Sequence, residues 1–123
     1  MAKTYDTGNI FARILRGEIP CKKVYESDYA LAFHDINPQT PTHVLVIPKG
    51  PYVDWDHFSA EASDAEIAGL IRAAGEVARL VGAAEPGYRV LSNCGEAAHQ
   101  EVPHLHLHIF AGRDLGRMIG KGE

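Results

Sequence analysis

Residues 104–110 read HLHLHIF, which places His104, His106 and His108 at alternate positions with leucines between them. On a β-strand, alternate side chains share one face and rise about 6.6 Å apart. The three imidazoles are therefore expected to project together, while Leu105, Leu107 and Ile109 turn into a core. Four of the seven histidines fall within positions 99–108. An exposed strand face is more simply filled with Thr, Lys or Glu, so the cluster points to chemistry.

Two chemistries suit it. Two imidazoles two residues apart on a strand can chelate a metal, with His43, His99, Glu101 or a thiol completing the set. Alternatively, one imidazole is a nucleophile and the others orient it and stabilise charge. That role needs a neutral ring, with one nitrogen held as N–H by a backbone acceptor and the other free. Crowding helps, because a second positive charge nearby disfavours protonation of the first. The segment upstream, SNCGEAAHQEVP (residues 92–103), consists mainly of glycine, small residues and amides, and no Lys or Arg occurs from Val90 to Gly112. Such a loop can present backbone N–H groups and the Asn93 and Gln100 amides to an anion. Placed before a row of histidines, it suits phosphoryl transfer to imidazole.

The elements that would position these groups can be read along the chain. Ile10, Phe11, Ile14 and Leu15 have helical spacing, and Gly17 is placed to stop that helix. Short strands are predicted around Val24, over residues 29–36 and over residues 43–48, with prolines punctuating the gaps. Ser63 and Glu66 form a capping-box pattern, followed by an apolar repeat of period 3.6 from Ile67 to Val81, and Gly82 ends it. The stripe is rich in Ala and Gly (Ala68, Gly69, Ala73, Ala74, Gly75), so either the chain's own sheet or a second subunit can approach closely. Residues 87–93 and 104–112 supply the fourth and fifth strands. Few helices and several short strands with short connections give an α+β fold with a mainly antiparallel sheet.

Composition excludes several roles. At 123 residues, the chain fits one domain spanning 1–123. A formal charge of -4 leaves no basic patch for nucleic acid and no Lys/Arg run for an anionic membrane. No apolar stretch approaches the roughly 20 residues that span a bilayer, and the first residues lack a signal-peptide core. Cys21 and Cys94 suggest two reduced thiols in a cytoplasmic protein.

HLHLHIF, with Gln100 four residues upstream, resembles the signature of the histidine triad family, in which histidines alternate with apolar residues. The similarity continues through NIFARILRGEIP, LAFHDINPQTPTHVLVIPK and AGR. It is greatest to the Hint branch, whose members hydrolyse adenosine and guanosine 5'-phosphoramidates. The resemblance implies a five-stranded antiparallel sheet with one short and one long helix, in a homodimer that joins the two sheets and packs the long helices. It implies that His106 attacks the α-phosphorus to form a nucleotidyl-imidazole that water hydrolyses. His108 would bond the phosphate, and His104 and His43 would orient the nucleophile. Asp35 would accept the ribose hydroxyls, and Ile10, Phe11, Ile14, Phe33 and Ile36 would form the purine slot. Asn93, with the backbone N–H groups of Glu101 and Val102, would hold the phosphate. The implied partners are AMP or GMP conjugates and a second copy of the chain, with no nucleic acid, membrane, cofactor or metal. Neighbouring alternatives are a dinucleoside polyphosphate hydrolase and a nucleotide-binding or metal-binding module using the same histidines.

Some positions depart from the family pattern. Asn9 and Ala12 stand where some members carry a zinc-binding C-x-x-C. His99 replaces a usual glycine, and Glu101 a serine that contacts the leaving group. The tail, DLGRMIGKGE, lacks the Trp-Pro-Pro-Gly ending of animal members.

Overall fold

The computed structural model describes residues 3–118, so the last five residues of the tail lie outside it. In chain order the elements are α1 (Ile10–Leu15), β1 (Lys23–Glu26), β2 (Ala30–His34), β3 (Thr42–Pro48), α2 (Trp55–Glu61), α3 (Asp64–Leu80), β4 (Arg89–Leu91) and β5 (Leu107–Ala111), with a 3-10 turn at Glu96–Ala98 before β5. The five strands form one sheet in the order β1-β2-β3-β5-β4, antiparallel at every pairing.

Strand alternation divides the sheet into two faces. Ala30, Ala32, Val44, Val46, Leu107 and Ile109 pack with Leu105 against Leu70, Ala73, Ala74 and Val77 of α3 and Phe58 of α2. Leu31, Phe33, Leu45 and Ile47 meet Phe11 of α1 on the other face. β3 is covered on both sides, so residues 43–48 are all buried and read as an uninterrupted apolar run after His43. The small residues of α3 serve the chain's own sheet where Ala73 and Ala74 are buried, whereas Ala68 and Ile71 face outward. Its start is the expected capping box: Ser63 Oγ accepts from the Glu66 N–H, and the Glu66 carboxylate accepts from the Ser63 N–H.

Two sequence expectations need correction. The helix α2 was not expected; it has seven residues, of which only His57 and Phe58 are buried, so it shows no apolar period. Its signal is the cap, because Asp54 accepts from the His57 N–H at 2.8 Å. The fifth strand begins at Leu107 rather than at residue 104, because the groups before it bond elsewhere. The Leu105 N–H donates to the Tyr52 carbonyl at 2.8 Å, and Ser92 Oγ donates to the His106 carbonyl at 2.9 Å. The in-out alternation nevertheless continues upstream, since Leu105 is in the same core cluster as Leu107 and Ile109.

Candidate active site

The register of β3 and β5 opposes His43 to Phe110 and Leu45 to His108. Opposed residues of an antiparallel pair share a face, so the β3 and β5 histidines lie on one surface. The His43 ring centroid is 4.3 Å from that of Phe110 and 5.2 Å from that of His108. His108 stacks on Phe110 at 5.5 Å, and His106 meets His108 edge-on at 5.1 Å. The α1 helix brings Phe11 to the other side, 5.0 Å from His106.

The groups facing each ring nitrogen assign its proton. His106 Nδ1 is 2.7 Å from the His104 carbonyl, which can only accept, so Nδ1 is the N–H and Nε2 keeps its lone pair. Nε2 has no hydrogen bond among the described residues and is not sealed from solvent. His104 Nε2 donates to the Pro48 carbonyl at 2.9 Å, so its Nδ1 accepts from the Tyr5 hydroxyl at 2.5 Å. The Gln39 N–H donates to His43 Nδ1 at 3.2 Å. His43 Nε2 therefore donates to His108 Nδ1 at 2.9 Å, which leaves the His108 proton on Nε2.

The rings are kept neutral. Burial pushes His104 down to about 4 against the pull of the Pro48 carbonyl, with His106 adding to the fall. Burial likewise brings His108 to about 4, reinforced by His106 and His43 and opposed by Asp35. Burial also lowers His43 and His106. At His106 the His104 carbonyl, Asp35 and Glu101 oppose the fall, so these groups favour a developing imidazolium there. A neutral ring with one free lone pair beside a second ring offering N–H can attack an electrophile that carries an anionic oxygen.

A profile of the HIT domain matches residues 16–115 of this chain. The chain belongs to the HIT family. It is 78% identical over 122 residues to an uncharacterised 13.2 kDa HIT-like protein of Azospirillum brasilense, covering 99% of this chain and 100% of that one. It is 43% identical over 110 residues to a purine nucleoside phosphoramidase of Escherichia coli (strain K12), covering 89% and 92% respectively. A histidine triad protein from Clostridium difficile has the same fold, with a TM-score of 0.81 and 39% identity over 93% of this chain and 98% of that one.

The other expected site residues of this HIT protein fall into two groups. Asp35, just beyond β2, is held by its own N–H on the His43 carbonyl and by its carboxylate, which accepts from the Asn37 N–H at 2.8 Å. Its second oxygen lies 3.5 Å from His43 Nε2. A cleft of about 530 Å³ opens here, with Lys22, Asp35, Ile36, Pro38 and His43 among its walls. Phe11 and Phe33 are buried edge to face at 5.6 Å, and Ile14 is half-buried beside them. Ile10 and Ile36 are 44% and 87% exposed, and lie outside that packed cluster. Sequence reading and structure part most clearly at Gln100, whose amide is fully engaged within the protein. It donates to the Val53 carbonyl at 2.7 Å and the Val102 carbonyl at 3.0 Å, and accepts from the Gly95 N–H at 2.9 Å. Gln100 therefore braces the loop and is not free to meet an anion. Asn93 is half-buried and takes no part in that bracing, Glu101 is exposed, and Val102 packs on the Phe11 cluster.

Asp35, His43 and His108 bring one ligand atom each within 4.8 Å of one another. A neutral His43 bound to a metal through Nε2 would need its proton on Nδ1, donated to an acceptor. Nδ1 instead receives the Gln39 N–H, so the surrounding backbone selects the opposite tautomer. The zinc position of relatives with C-x-x-C does not fit either: Asn9 and Ala12 carry no thiol, and Asn9 Oδ1 caps the Ala12 N–H at 2.9 Å. Sequence reasoning missed Tyr5, Gln39, Pro48 and Ser92, all of which act toward the site through backbone or hydroxyl groups that no residue pattern marks.

Proposed function

We propose that this HIT protein hydrolyses purine nucleoside 5'-phosphoramidates through a nucleotidyl intermediate on His106. The observation that carries this is the His106 ring, with Nδ1 held on the His104 carbonyl and a solvent-reachable lone pair on Nε2. Nε2 attacks the α-phosphorus, the P–N bond to the amine breaks, and the departing nitrogen takes a proton from solvent. Water then attacks phosphorus and gives up a proton to solvent, the P–Nε2 bond breaks and restores the His106 lone pair, and the nucleoside monophosphate leaves. The Nε2–H of His108 donates to a phosphate oxygen in both steps, with Asn93 and the N–H groups of Glu101 and Val102 on the other side. Asp35 accepts from the ribose hydroxyls, and the purine lies between Ile10 and Ile36 over Phe11. The phosphoramidase relative at 43% identity supports this substrate class.

The same proposal includes a homodimer. β4 is an unpaired sheet edge, and Val90 on it and the nearby Trp55 are 44% and 48% exposed, as a strand-to-strand seam would require. Mass determination by light scattering tests this part.

The direct test is to mix the protein with an AMP-amine, quench with acid-free denaturant and locate the adduct by peptide mass spectrometry. AMP on His106 is expected, with activity lost in His106→Ala. No nucleotide on His106 together with undiminished hydrolysis by His106→Ala would sink the proposal.

A further inference from the structure

Tyr5 precedes every predicted element and belongs to no motif, yet its hydroxyl reaches the most deeply buried histidine in the chain. The segment that carries it is tied down on both sides. Lys3 pairs with the buried carboxylate of Asp54, and Arg16 donates to the Thr7 carbonyl at 2.7 Å. Asn9, itself buried, donates through its amide to the Asp6 carbonyl at 2.7 Å and caps α1. Between these ties the phenol lies edge-on to the His104 ring, with centroids 5.5 Å apart and the hydroxyl 2.5 Å from Nδ1.

His104 is fully buried, and each of its ring nitrogens has one partner, Tyr5 at Nδ1 and Pro48 at Nε2. Its carbonyl, in turn, is the acceptor that keeps the proton on His106 Nδ1. We propose that Tyr5 is a positioning residue: through the His104 ring it fixes the carbonyl that holds His106 with its lone pair on Nε2. Without the hydroxyl, Nδ1 of His104 is a buried acceptor with no donor, a state a protein avoids by moving the proton or turning the ring. Either change takes the N–H away from the Pro48 carbonyl and loosens residue 104. The bond from His106 Nδ1 weakens with it, and the population of His106 carrying its proton on Nε2, which cannot attack, grows.

The assignment of an attacking role to His106 rests on the function proposed above, but the proton positions do not, so two readouts separate them. In ¹⁵N-labelled wild-type protein, His104 is expected to show a proton-bearing Nε2 and a bare Nδ1, and His106 the reverse. Tyr5→Phe, which keeps the aromatic packing, is expected to move the His104 nitrogens toward the average of the two tautomers and to raise the protonated share of His106 Nε2. On an AMP-amine, kcat is expected to fall about tenfold with KM held within about twofold, because binding groups are untouched. Ring nitrogens unchanged in Tyr5→Phe would overturn the proposal even if activity fell, since the loss would then have a merely structural origin. Changed His104 nitrogens with unchanged His106 nitrogens would overturn it as well. A wild-type protein that turns over no phosphoramidate would defeat the proposed function and leave the ring-nitrogen comparison to decide the role of Tyr5.

Discussion

His43 donates from Nε2 to His108 Nδ1 at 2.9 Å, and the direction of that bond is set by the Gln39 N–H on the far side of the His43 ring. A backbone group thus decides that His108 carries its proton on Nε2. Replacing His43 with Ala removes the donor and frees His108 to move its proton to Nδ1, where it offers phosphate only a lone pair. The expected loss in kcat/KM on an AMP-amine is about tenfold, the worth of one hydrogen bond to a charged oxygen. The AMP adduct on His106 should still form, more slowly, in a rapid-quench experiment.

Burial of neutral imidazoles makes stability depend on pH with a definite sign. His104 and His108 are lowered to about 4 in the folded protein, whereas a free imidazole titrates near ~6.5. Between those values the unfolded chain binds protons that the native chain refuses. Their contribution is complete above the unfolded value and is lost as pH falls toward the folded one. For His104, which is fully buried, the loss between pH 7.5 and pH 5 is roughly 2 kcal/mol. Urea unfolding at those two pH values measures it, and His104→Gln should flatten the dependence. Equal midpoints for wild type and variant at pH 5 relative to pH 7.5 would contradict the assignment.

The sheet was legible in the sequence because alternation and periodicity report which side chains meet a core. Leu105, Leu107 and Ile109 on one side and the histidines on the other followed from period two alone, as did α3 from its cap and its 3.6-residue stripe. Proton placement was not legible, since it depends on the carbonyls of His104 and Pro48 and the N–H of Gln39, and every residue has such groups. Gln100 shows the same limit from the other side. Its type suggested an anion ligand, and only the positions of the Val53 and Val102 carbonyls reveal a brace.

His99 is the one described residue other than glycine with a left-handed backbone, at φ 58 and ψ 45. That geometry favours glycine at this position, because a Cβ crowds the following carbonyl in the left-handed region. The loop holds it there through the paired bonds between Gly95 and Gln100. His99→Gly should raise the unfolding free energy by about 1 kcal/mol, while His99→Val, β-branched in the same conformation, should lower it by at least as much. Denaturation midpoints of the three proteins test the order, and a His99→Gly midpoint below wild type would refute it.

Asp35 carries the most specific consequence for substrate choice. One carboxylate oxygen already accepts from the Asn37 N–H, which fixes the group's plane, and the other lies 3.5 Å from His43 Nε2 with room to accept a hydroxyl from the cleft. Asp35→Asn preserves the size and the contact to Asn37 but places an NH₂ where ribose hydroxyls would donate. KM for an AMP-amine should rise about tenfold, as expected for losing a hydrogen bond to a charged acceptor. The decisive measurement is a ratio: wild type should prefer the ribose substrate to its 2',3'-dideoxy analogue, and Asp35→Asn should treat them alike. If both proteins kept the same preference, the ribose hydroxyls would have to be recognised by another group. A change of rate equal for both substrates would instead place Asp35 in the alignment of His43 and His108, since only the nucleoside contact distinguishes the two compounds.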